Sequence, residues 1–243
     1  MKVAVTFWGT GEYINFLPEW YERLEEYFLP DVEKTYFVFT DGELEGTPEN
    51  ITLMNIPHYG FPETFHKTFE ELLKIKDIVS DYDWLVSVDA DLYAQEEITT
   101  EEFFDDSKKY FGVHHPCHYL KMQPHDRKPG SYDTNPLSNA CINDNIIDMS
   151  IYYQGCLWGG KVPSVFDMME KIDEWTKEDV SKNAVGQFYE ESYLNKWFLT
   201  HREDVNTLAS DYAYPELFKE HCTFSNKMMH LYKDNKSLDN NQW

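Results

Sequence analysis

Buried strands alternate with amphipathic helices over residues 1–90 of the chain. Short apolar runs predict strands at 3–8, 35–40 and 51–56, and a fourth begins at Trp84. Between them, apolar residues recur at three- and four-residue steps, as on the buried face of a helix. This order predicts an α/β fold with a largely parallel sheet and right-handed crossovers. The helical stripes are Leu17, Trp20, Leu24, Tyr27 and Phe28, then, after Pro62, Phe65, Phe69, Leu72, Ile75 and Val79.

The second half of the chain has a different pattern. Residues 112–150 are rich in His, Pro, Asn and Asp with little periodicity, which predicts an excursion that forms a substrate wall. Residues 151–158 predict a strand that ends at Gly159-Gly160, and Ser164 is expected to cap the helix that follows. A shorter helix is predicted over 189–198, and the polar tail from Asn235 is expected to be mobile. The predicted inward side chains of the two helices are Val165, Met168, Met169, Ile172 and Trp175, then Leu194, Trp197 and Phe198.

Two aspartates, Asp89 and Asp91, follow the buried run at residues 84–88. If the strand continues through them, its two-residue period puts both carboxylates on one face. Two ionised carboxylates about 4 Å apart repel by about 4 kcal/mol at an effective dielectric constant of about 20. Either one of them is protonated or a hard divalent cation lies between them and also binds a ligand's phosphates. The alternative is an acidic exit from a strand in a very acidic protein.

The charge of the chain limits its partners. It has 243 residues and a net charge of −23, from 21 Lys and Arg against 44 Asp and Glu. No basic cluster is visible, which argues against nucleic acid and against an anionic membrane surface. Because salt screens charges over about 8 Å, local cations still permit an anionic substrate.

The cysteines and the start of the sequence favour a soluble, cytoplasmic protein. The four cysteines form no CxxC pair and no metal-ligand spacing, so we expect reduced thiols, with a disulfide as the alternative. Met1-Lys2 leads directly into a strand, and no apolar run approaches the length of a membrane span. We therefore expect no signal peptide and no transmembrane anchor.

Three sequence blocks together resemble one enzyme family. They are YFVFTD at 36–41 with VDAD at 88–91, YYQGCLWGG at 152–160, and YEESYLNKWF at 189–198. Their order and separation are similar to those of glycosyltransferase family 6, the retaining α1,3-galactosyl and N-acetylgalactosaminyl transferases that include the histo-blood-group A and B enzymes. A looser stretch, His115-Pro116 with SYDTNPLSNA at 131–140, resembles the acceptor-side segment of that family.

The resemblance implies a GT-A fold, a single catalytic domain over residues 1–243. A nucleotide-sugar half would span about 1–111, and an acceptor half with the C-terminal tail would span about 112–243. Asp89 and Asp91 match the motif that holds Mn²⁺, or Mg²⁺, on the donor diphosphate. Trp8, Thr10 and Tyr13 match the positions that hold uracil and ribose, which suits a flat base. For Trp8 the alternative is an ordinary core aromatic.

The third block carries the residue that the resemblance assigns to catalysis. Glu191 matches the glutamate placed beneath the anomeric carbon, as nucleophile or as stabiliser of a sugar cation, and Glu190 matches an aspartate beside it. Retention needs attack and departure on the same face, so an anionic oxygen near the oxocarbenium-like carbon suits the chemistry. Without the family, both glutamates would be carboxylates on a helix surface.

The resemblance also assigns donor selectivity and acceptor contact. Gln154, Gly155 and Cys156 match positions that choose between galactose and N-acetylgalactosamine by the space near carbon 2. Cys156 is bulkier than the glycine or alanine usual there, which favours a free 2-hydroxyl, galactose first and glucose next. The residues assigned to the acceptor are His115, Ser131 and Phe188; for His115, a structural role is the alternative.

The chain departs from the family in its basic residues. Lys233 matches one cation that neutralises the diphosphate, but Asp239 stands where an arginine is expected. Lys67 and Thr68 stand where an arginine pair is expected on the helix before the acid pair. Fewer cations make a metal more necessary and put tight closure of the tail in doubt.

These observations predict a metal-dependent, retaining hexosyltransferase that moves a hexose from a UDP-sugar to a hydroxyl of an oligosaccharide or glycoconjugate acceptor, in an α1,3-type linkage. Two rivals stay open. One is a UDP-sugar hydrolase, in which a poorly formed acceptor wall over 112–140 admits water. The other is a non-catalytic saccharide-binding protein on the same fold.

Overall fold

A central sheet of seven strands organises the computed structural model, which describes residues 1–44, 46–122, 132–143 and 149–233. In the order β3-β2-β1-β4-β7-β6-β8, β7 runs antiparallel to both neighbours, and the other described pairs are parallel. The prediction of an α/β fold with a mostly parallel sheet is therefore confirmed. The strands are β1 (Lys2–Trp8), β2 (Glu33–Thr40), β3 (Ile51–Asn55), β4 (Trp84–Val88), β6 (Tyr110–His114), β7 (Tyr153–Lys161) and β8 (Val205–Leu208).

Helices cover both faces of this sheet, because its inner strands are apolar on both sides. In β1, Val3, Val5 and Phe7 belong to one core cluster, while Ala4 belongs to the other. Trp20 of α1 packs in the first cluster and Phe69 of α2 in the second. The helices are α1 (Leu17–Tyr27), α2 (Glu63–Leu72), α3 (Thr100–Phe103), α4 (Pro116–Tyr119), α5 (Ser164–Lys182) and α6 (Tyr189–Thr200).

A second, three-stranded sheet brings the end of the described chain to the acid pair. It consists of β5 (Leu92–Ala94), β10 (Met228–His230) and β9 (Tyr214–Pro215), in that order. His230 pairs with Leu92, and the Leu231 N–H donates to the Asp91 carbonyl over 2.9 Å. The segment that contains His230 and Lys233 is thus held beside Asp91 by backbone hydrogen bonds.

Three local details of the fold differ from the simplest expectation. The strand from Trp84 ends at Val88, and residues 89–91 form a turn in which the Leu92 N–H donates to the Asp89 carbonyl over 3.0 Å. Strand β7 continues through Gly159 and Gly160. A Cβ on Gly159 would lie 2.1 Å from the Leu85 carbonyl oxygen, so this glycine permits close strand packing. Ser164 is the first residue of α5, and Pro163 occupies the capping position without a side-chain hydrogen bond.

The excursion at 112–150 contributes strand β6 and helix α4, and its described loop 132–143 is fixed by one buried acid. Asp179 of α5 is fully buried and accepts hydrogen bonds from the Ser138 hydroxyl, the Asn139 N–H and the Tyr193 hydroxyl at 2.7–2.9 Å. This network fastens the loop to α5 and α6. The tail from Asn235, expected to be mobile, lies outside the described residues, as does Asp239. Within the described ranges, no helix combines the length and apolar character needed to cross a membrane.

Candidate active site

A cavity of about 320 Å³ opens where β1 and β4 end and β7 passes beside them. In α/β sheets, the carboxyl ends of parallel strands are the usual place for ligands. Helix α2 forms one wall, the first turn of α6 another, and the segment after β10 a third. Eleven residues assigned to the site from the sequence line this cavity: Trp8, Thr10, Tyr13, Asp89, Asp91, Gln154, Gly155, Cys156, Glu190, Glu191 and Lys233.

The acid pair lies on the turn that follows β4. The backbone of Asp89 is fixed on two sides: its N–H donates to the Cys156 carbonyl over 2.9 Å, and its carbonyl accepts from the Trp20 indole N–H over 3.0 Å. The Asp89 side chain faces the cavity and stays accessible to water, whereas Asp91 is 1% exposed. The two carboxylates therefore enter the cavity from a fixed turn rather than from one face of a strand.

Two basic side chains flank the buried Asp91. Lys233 Nζ lies 2.6 Å and His230 Nε2 lies 3.2 Å from Asp91 Oδ2. Burial opposes ionisation of Asp91, but His230 and Lys233 outweigh it and lower the pKa of Asp91. Desolvation by the surrounding protein, together with the charge of Asp91, raises the pKa of Asp89 to about 6. Asp91 is thus ionised at neutral pH, and Asp89 is poised to ionise fully when another cation arrives.

The donor atoms here fit a divalent cation. One ligand atom each from Asp89, Asp91 and His230 lie within 4.8 Å of one another. Asp91 Oδ1 is buried and has no hydrogen-bond partner among the described residues, which is costly for a carboxylate oxygen unless a cation binds it. Carboxylate oxygens with an imidazole nitrogen suit Mn²⁺ and related transition metals.

Glu191 lies in the first turn of α6 and is held by two hydrogen bonds. Its carboxylate accepts from the Gly155 N–H over 2.8 Å and from the Tyr152 hydroxyl over 2.7 Å. Burial raises the pKa of Glu191 to about 7, against these two hydrogen bonds, which lower it. The carboxylate is therefore fixed in position and only partly screened by water, as a group that stabilises a cationic centre should be.

Glu190 precedes Glu191 and has a different environment. Its Oε2 is buried and has no hydrogen-bond partner within the described part of the chain. Burial raises the pKa of Glu190 well above its ordinary value, although its backbone hydrogen bond lowers it. Burial therefore favours the neutral form of Glu190, and its carboxyl group is left available to a ligand in the cavity.

Aromatic rings form the end of the cavity near β1. The Trp8 ring stacks on Phe39 with centroids 5.9 Å apart, and its indole N–H donates to the Thr64 hydroxyl over 3.2 Å. Lys233 Nζ lies 4.9 Å from the centroid of the Tyr13 ring. Trp8 is half-buried and lines the cavity, so its side chain packs against the protein and is also accessible to a ligand. This end offers flat apolar surfaces beside a cation, a combination suited to a base and its phosphates.

The remaining sequence-assigned residues are not part of the described lining. Lys67 faces away on α2, where its Nζ lies 3.1 Å from Glu70 Oε1. His115 is buried, and its Nδ1 accepts from the Cys117 N–H over 3.1 Å, which caps α4. Burial lowers the pKa of His115 to about 3, so its ring is neutral. Phe188 precedes α6 outside the lining, and Ser131 lies outside the described residues; the roles assigned to these four residues stay predictions.

Two residues of the site received no role from the sequence. Tyr152 lies within the YYQGCLWGG block, yet nothing in the order of residues shows that its hydroxyl contacts Glu191. His230 comes from a three-residue strand and reaches Asp91 through pairing between β5 and β10. The sequence contains one hint of its role, which is that His230 lies three residues before Lys233. Both side chains contact Asp91 Oδ2.

The sequence is similar to one family of known proteins. The family model described as glycosyltransferase family 6 matches residues 1–240. The chain is 26% identical to the O-antigen biosynthesis glycosyltransferase WbnI of Escherichia coli, over 90% of this chain and 91% of that protein. It is 24% identical to globoside alpha-1,3-N-acetylgalactosaminyltransferase 1 of Homo sapiens, over 89% of this chain and 62% of that protein.

A third relative is histo-blood group ABO system transferase 2 of Rattus norvegicus, 23% identical over 88% of this chain and 64% of that protein. The chain therefore spans most of the bacterial relative and less than two thirds of these mammalian ones. The family match extends over both the acid pair and the first turn of α6, and the α/β architecture agrees with the GT-A fold. The chain belongs to glycosyltransferase family 6, whose model covers nearly its whole length.

Proposed function

We propose that this chain transfers a hexose, galactose first, from a UDP-sugar to a hydroxyl of a saccharide acceptor, with retention and in an α1,3-type linkage. The observation that carries the proposal is the joint placement of Asp89, Asp91 and Glu191 on one cavity. Such a transfer needs one group of residues to stabilise the leaving UDP and another to stabilise the positive charge on the sugar. The acid pair would serve the first need, through a bound cation, and Glu191 the second.

The donor diphosphate would lie at the acid pair. Asp89 and Asp91 would hold a divalent cation that neutralises charge on the departing UDP. Lys233, which already lies in the cavity beside Asp91, is placed to add a second positive charge on the leaving group. The rings of Trp8 and Tyr13 are placed to hold uracil and ribose, because they line the same cavity next to the two acids.

The sugar would lie between the acid pair and α6. The Glu191 carboxylate, fixed by Gly155 and Tyr152, would face the anomeric carbon and stabilise its positive charge as the bond to UDP breaks. The Tyr152 hydroxyl and the Gly155 N–H orient this carboxylate, so it needs no reorganisation when charge develops. The Glu190 carboxyl group is buried and has no hydrogen-bond partner at Oε2 among the described residues, so it is placed to share a hydrogen bond with a sugar hydroxyl.

Donor choice and acceptor contact follow from neighbouring residues. Cys156 is 2% exposed and lines the cavity, and its bulk favours a donor with a free 2-hydroxyl over one with an N-acetyl group. The acceptor half of the chain, about residues 112–243, would supply the saccharide contact, with the loop 132–143 that Asp179 fixes as part of the wall. Two carboxylates and a lysine in one cavity with aromatic rings favour a nucleotide-sugar over a plain saccharide.

The test is a donor screen by UDP release in the presence of Mn²⁺. UDP-galactose, UDP-glucose and UDP-N-acetylgalactosamine are each supplied with and without candidate oligosaccharides. The proposal expects release that the acceptor stimulates, with a product carrying one added hexose. Release that is independent of every acceptor would identify a hydrolase, and saccharide binding without metal-stimulated release would identify a non-catalytic binding protein.

A further inference from the structure

His230 is held against the acid pair by the fold. It ends β10, where it pairs with Leu92, and the next residue donates its N–H to the Asp91 carbonyl. Its Nε2 lies 3.2 Å from Asp91 Oδ2. A ligand atom of His230 lies within 4.8 Å of ligand atoms of both aspartates. Because a strand fixes the His230 ring at this distance, the ring is well placed to bind a cation together with the two acids.

The other nitrogen of the ring has its own partner. Gln154 Nε2 lies 3.1 Å from His230 Nδ1, while Gln154 Oε1 is buried with no hydrogen-bond partner among the described residues. The two ends of an amide have the same shape, and the hydrogen-bond network decides between them. Exchanging them lets the His230 Nδ1–H donate to Gln154 Oε1, and it satisfies the orphaned oxygen. In that arrangement, a cation that replaces the proton between His230 Nε2 and Asp91 meets the Nε2 lone pair.

We infer that His230 is a third protein ligand, through Nε2, of the divalent cation at Asp89 and Asp91, and that Gln154 orients its ring. The inference rests on the metal site of the proposed function, and it adds an imidazole nitrogen to the carboxylate oxygens of Asp89 and Asp91 as a ligand of the cation. Hydrogen bonding of the second ring nitrogen to a fixed acceptor is how proteins orient a histidine ligand. An imidazole ligand favours Mn²⁺, Co²⁺ or Zn²⁺ over Mg²⁺, which prefers oxygen.

The test is pulsed electron paramagnetic resonance of Mn²⁺ bound to the protein, first with Mn²⁺ alone and then with Mn²⁺ and UDP. A directly bound imidazole gives a nitrogen coupling that oxygen ligands do not give. We expect this coupling in the wild-type protein and its loss in His230→Gln, which keeps the length of the side chain and offers an oxygen. The control is His221→Gln, the same substitution at an exposed residue earlier in that segment, and it should keep the coupling.

Affinities for Mn²⁺ give a second readout. Replacing the partner that orients a metal ligand costs about 10–100-fold in metal affinity, so Gln154→Ala should weaken Mn²⁺ binding about tenfold while keeping the nitrogen coupling. His230→Gln should weaken Mn²⁺ more than Mg²⁺ and so reduce the preference for Mn²⁺. Circular dichroism of each variant shows whether it is folded.

The outcomes separate this inference from the proposed function. Bound Mn²⁺ without nitrogen coupling in the wild type, or with the coupling unchanged in His230→Gln, overturns the role of His230 and leaves metal-dependent transfer intact. Absence of Mn²⁺ binding even with UDP overturns both. Nitrogen-coupled Mn²⁺ in a protein that releases UDP from none of the donors supports the His230 ligand and contradicts the transferase.

Discussion

Asp89 and Glu191 are joined through two consecutive residues of β7. The Asp89 N–H donates to the Cys156 carbonyl over 2.9 Å, and the Gly155 N–H donates to Glu191 Oε2 over 2.8 Å. One strand therefore sets the separation between the acid proposed to hold the metal and the acid proposed to stabilise the sugar. Because the strand lies inside the central sheet, this separation is resistant to local motion.

Replacing Tyr152 by phenylalanine should move the acidic limb of the pH profile to higher pH. The role proposed for Glu191 needs its ionised form, so kcat/KM should fall as pH drops through the pKa of Glu191, about 7 in the free enzyme. The Tyr152 hydroxyl lowers that pKa, and its removal raises it. The measurement is kcat/KM against pH for wild type and Tyr152→Phe. An unshifted limb would mean that the hydroxyl does not act on Glu191, whatever the loss of rate.

Shortening Cys156 should relax donor choice. The thiol is buried beside the cavity, so Cys156→Ala leaves room near the sugar. We expect the ratio of kcat/KM for UDP-N-acetylgalactosamine over UDP-galactose to rise about tenfold, the effect of one small group in a pocket. Cys117→Ala is the control, because that thiol is buried outside the described lining. Equal ratios in both variants would place the selectivity elsewhere.

Removing divalent metal should abolish UDP release. Without the divalent cation, Lys233 and His230 are the basic residues that contact Asp91 in the described part of the chain. Neither supplies the two positive charges that a divalent cation brings to the departing diphosphate. Treatment with EDTA should reduce release to background and added Mn²⁺ should restore it, while EDTA already saturated with Mn²⁺ serves as the control. Turnover that persists in EDTA would leave Asp89 and Asp91 without their proposed role.

Substituting the buried Asp179 should destabilise the fold without touching the cavity. Its Oδ2 accepts from loop 132–143 and from α6, and its Oδ1 accepts from the Asn139 side-chain amide. In Asp179→Asn, an NH2 group replaces one of these two accepting oxygens and faces a donor. We expect the free energy of unfolding in urea to fall by about 1–3 kcal/mol. Glu174→Gln, at an exposed position on the same helix, should change it by less than about 0.5 kcal/mol. Equal losses in the two variants would refute the bracing role of Asp179.

Site residues that lie within a recognisable sequence block could be predicted. Site residues that tertiary contacts bring in from distant parts of the chain could not. The blocks gave the acid pair, Gln154 to Cys156 and Glu191, and all of them line one cavity. A short apolar run predicted β1, which is buried on both faces, and periodicity predicted α1 and α2, whose apolar residues form one buried stripe. The apolar run also marks the end of β4 at Val88, but not the turn at residues 89–91 that presents both acids.

His230 illustrates the second case. Its strand has three residues, too few for a periodic signal, and it is defined by pairing with β5 more than a hundred residues earlier. Tyr152 was visible in its block, but its contact with Glu191 depends on how α6 packs against β7. Gly159 and Gly160 were expected at the end of the strand, but the sequence did not show that neighbouring backbone atoms in the sheet leave no room for a Cβ at either position. Each of these depends on tertiary contacts.

The most direct measurement is hexose transfer by Glu191→Gln, with Mn²⁺, the preferred UDP-sugar and its acceptor. Glutamine keeps the size of the side chain and an oxygen for the Gly155 N–H, so the variant should fold and bind Mn²⁺ like the wild type. Loss of the negative charge should lower kcat by about 10²–10³-fold, while Glu174→Gln on the exposed face of α5 should be unaffected. Full transfer activity in Glu191→Gln would contradict the account.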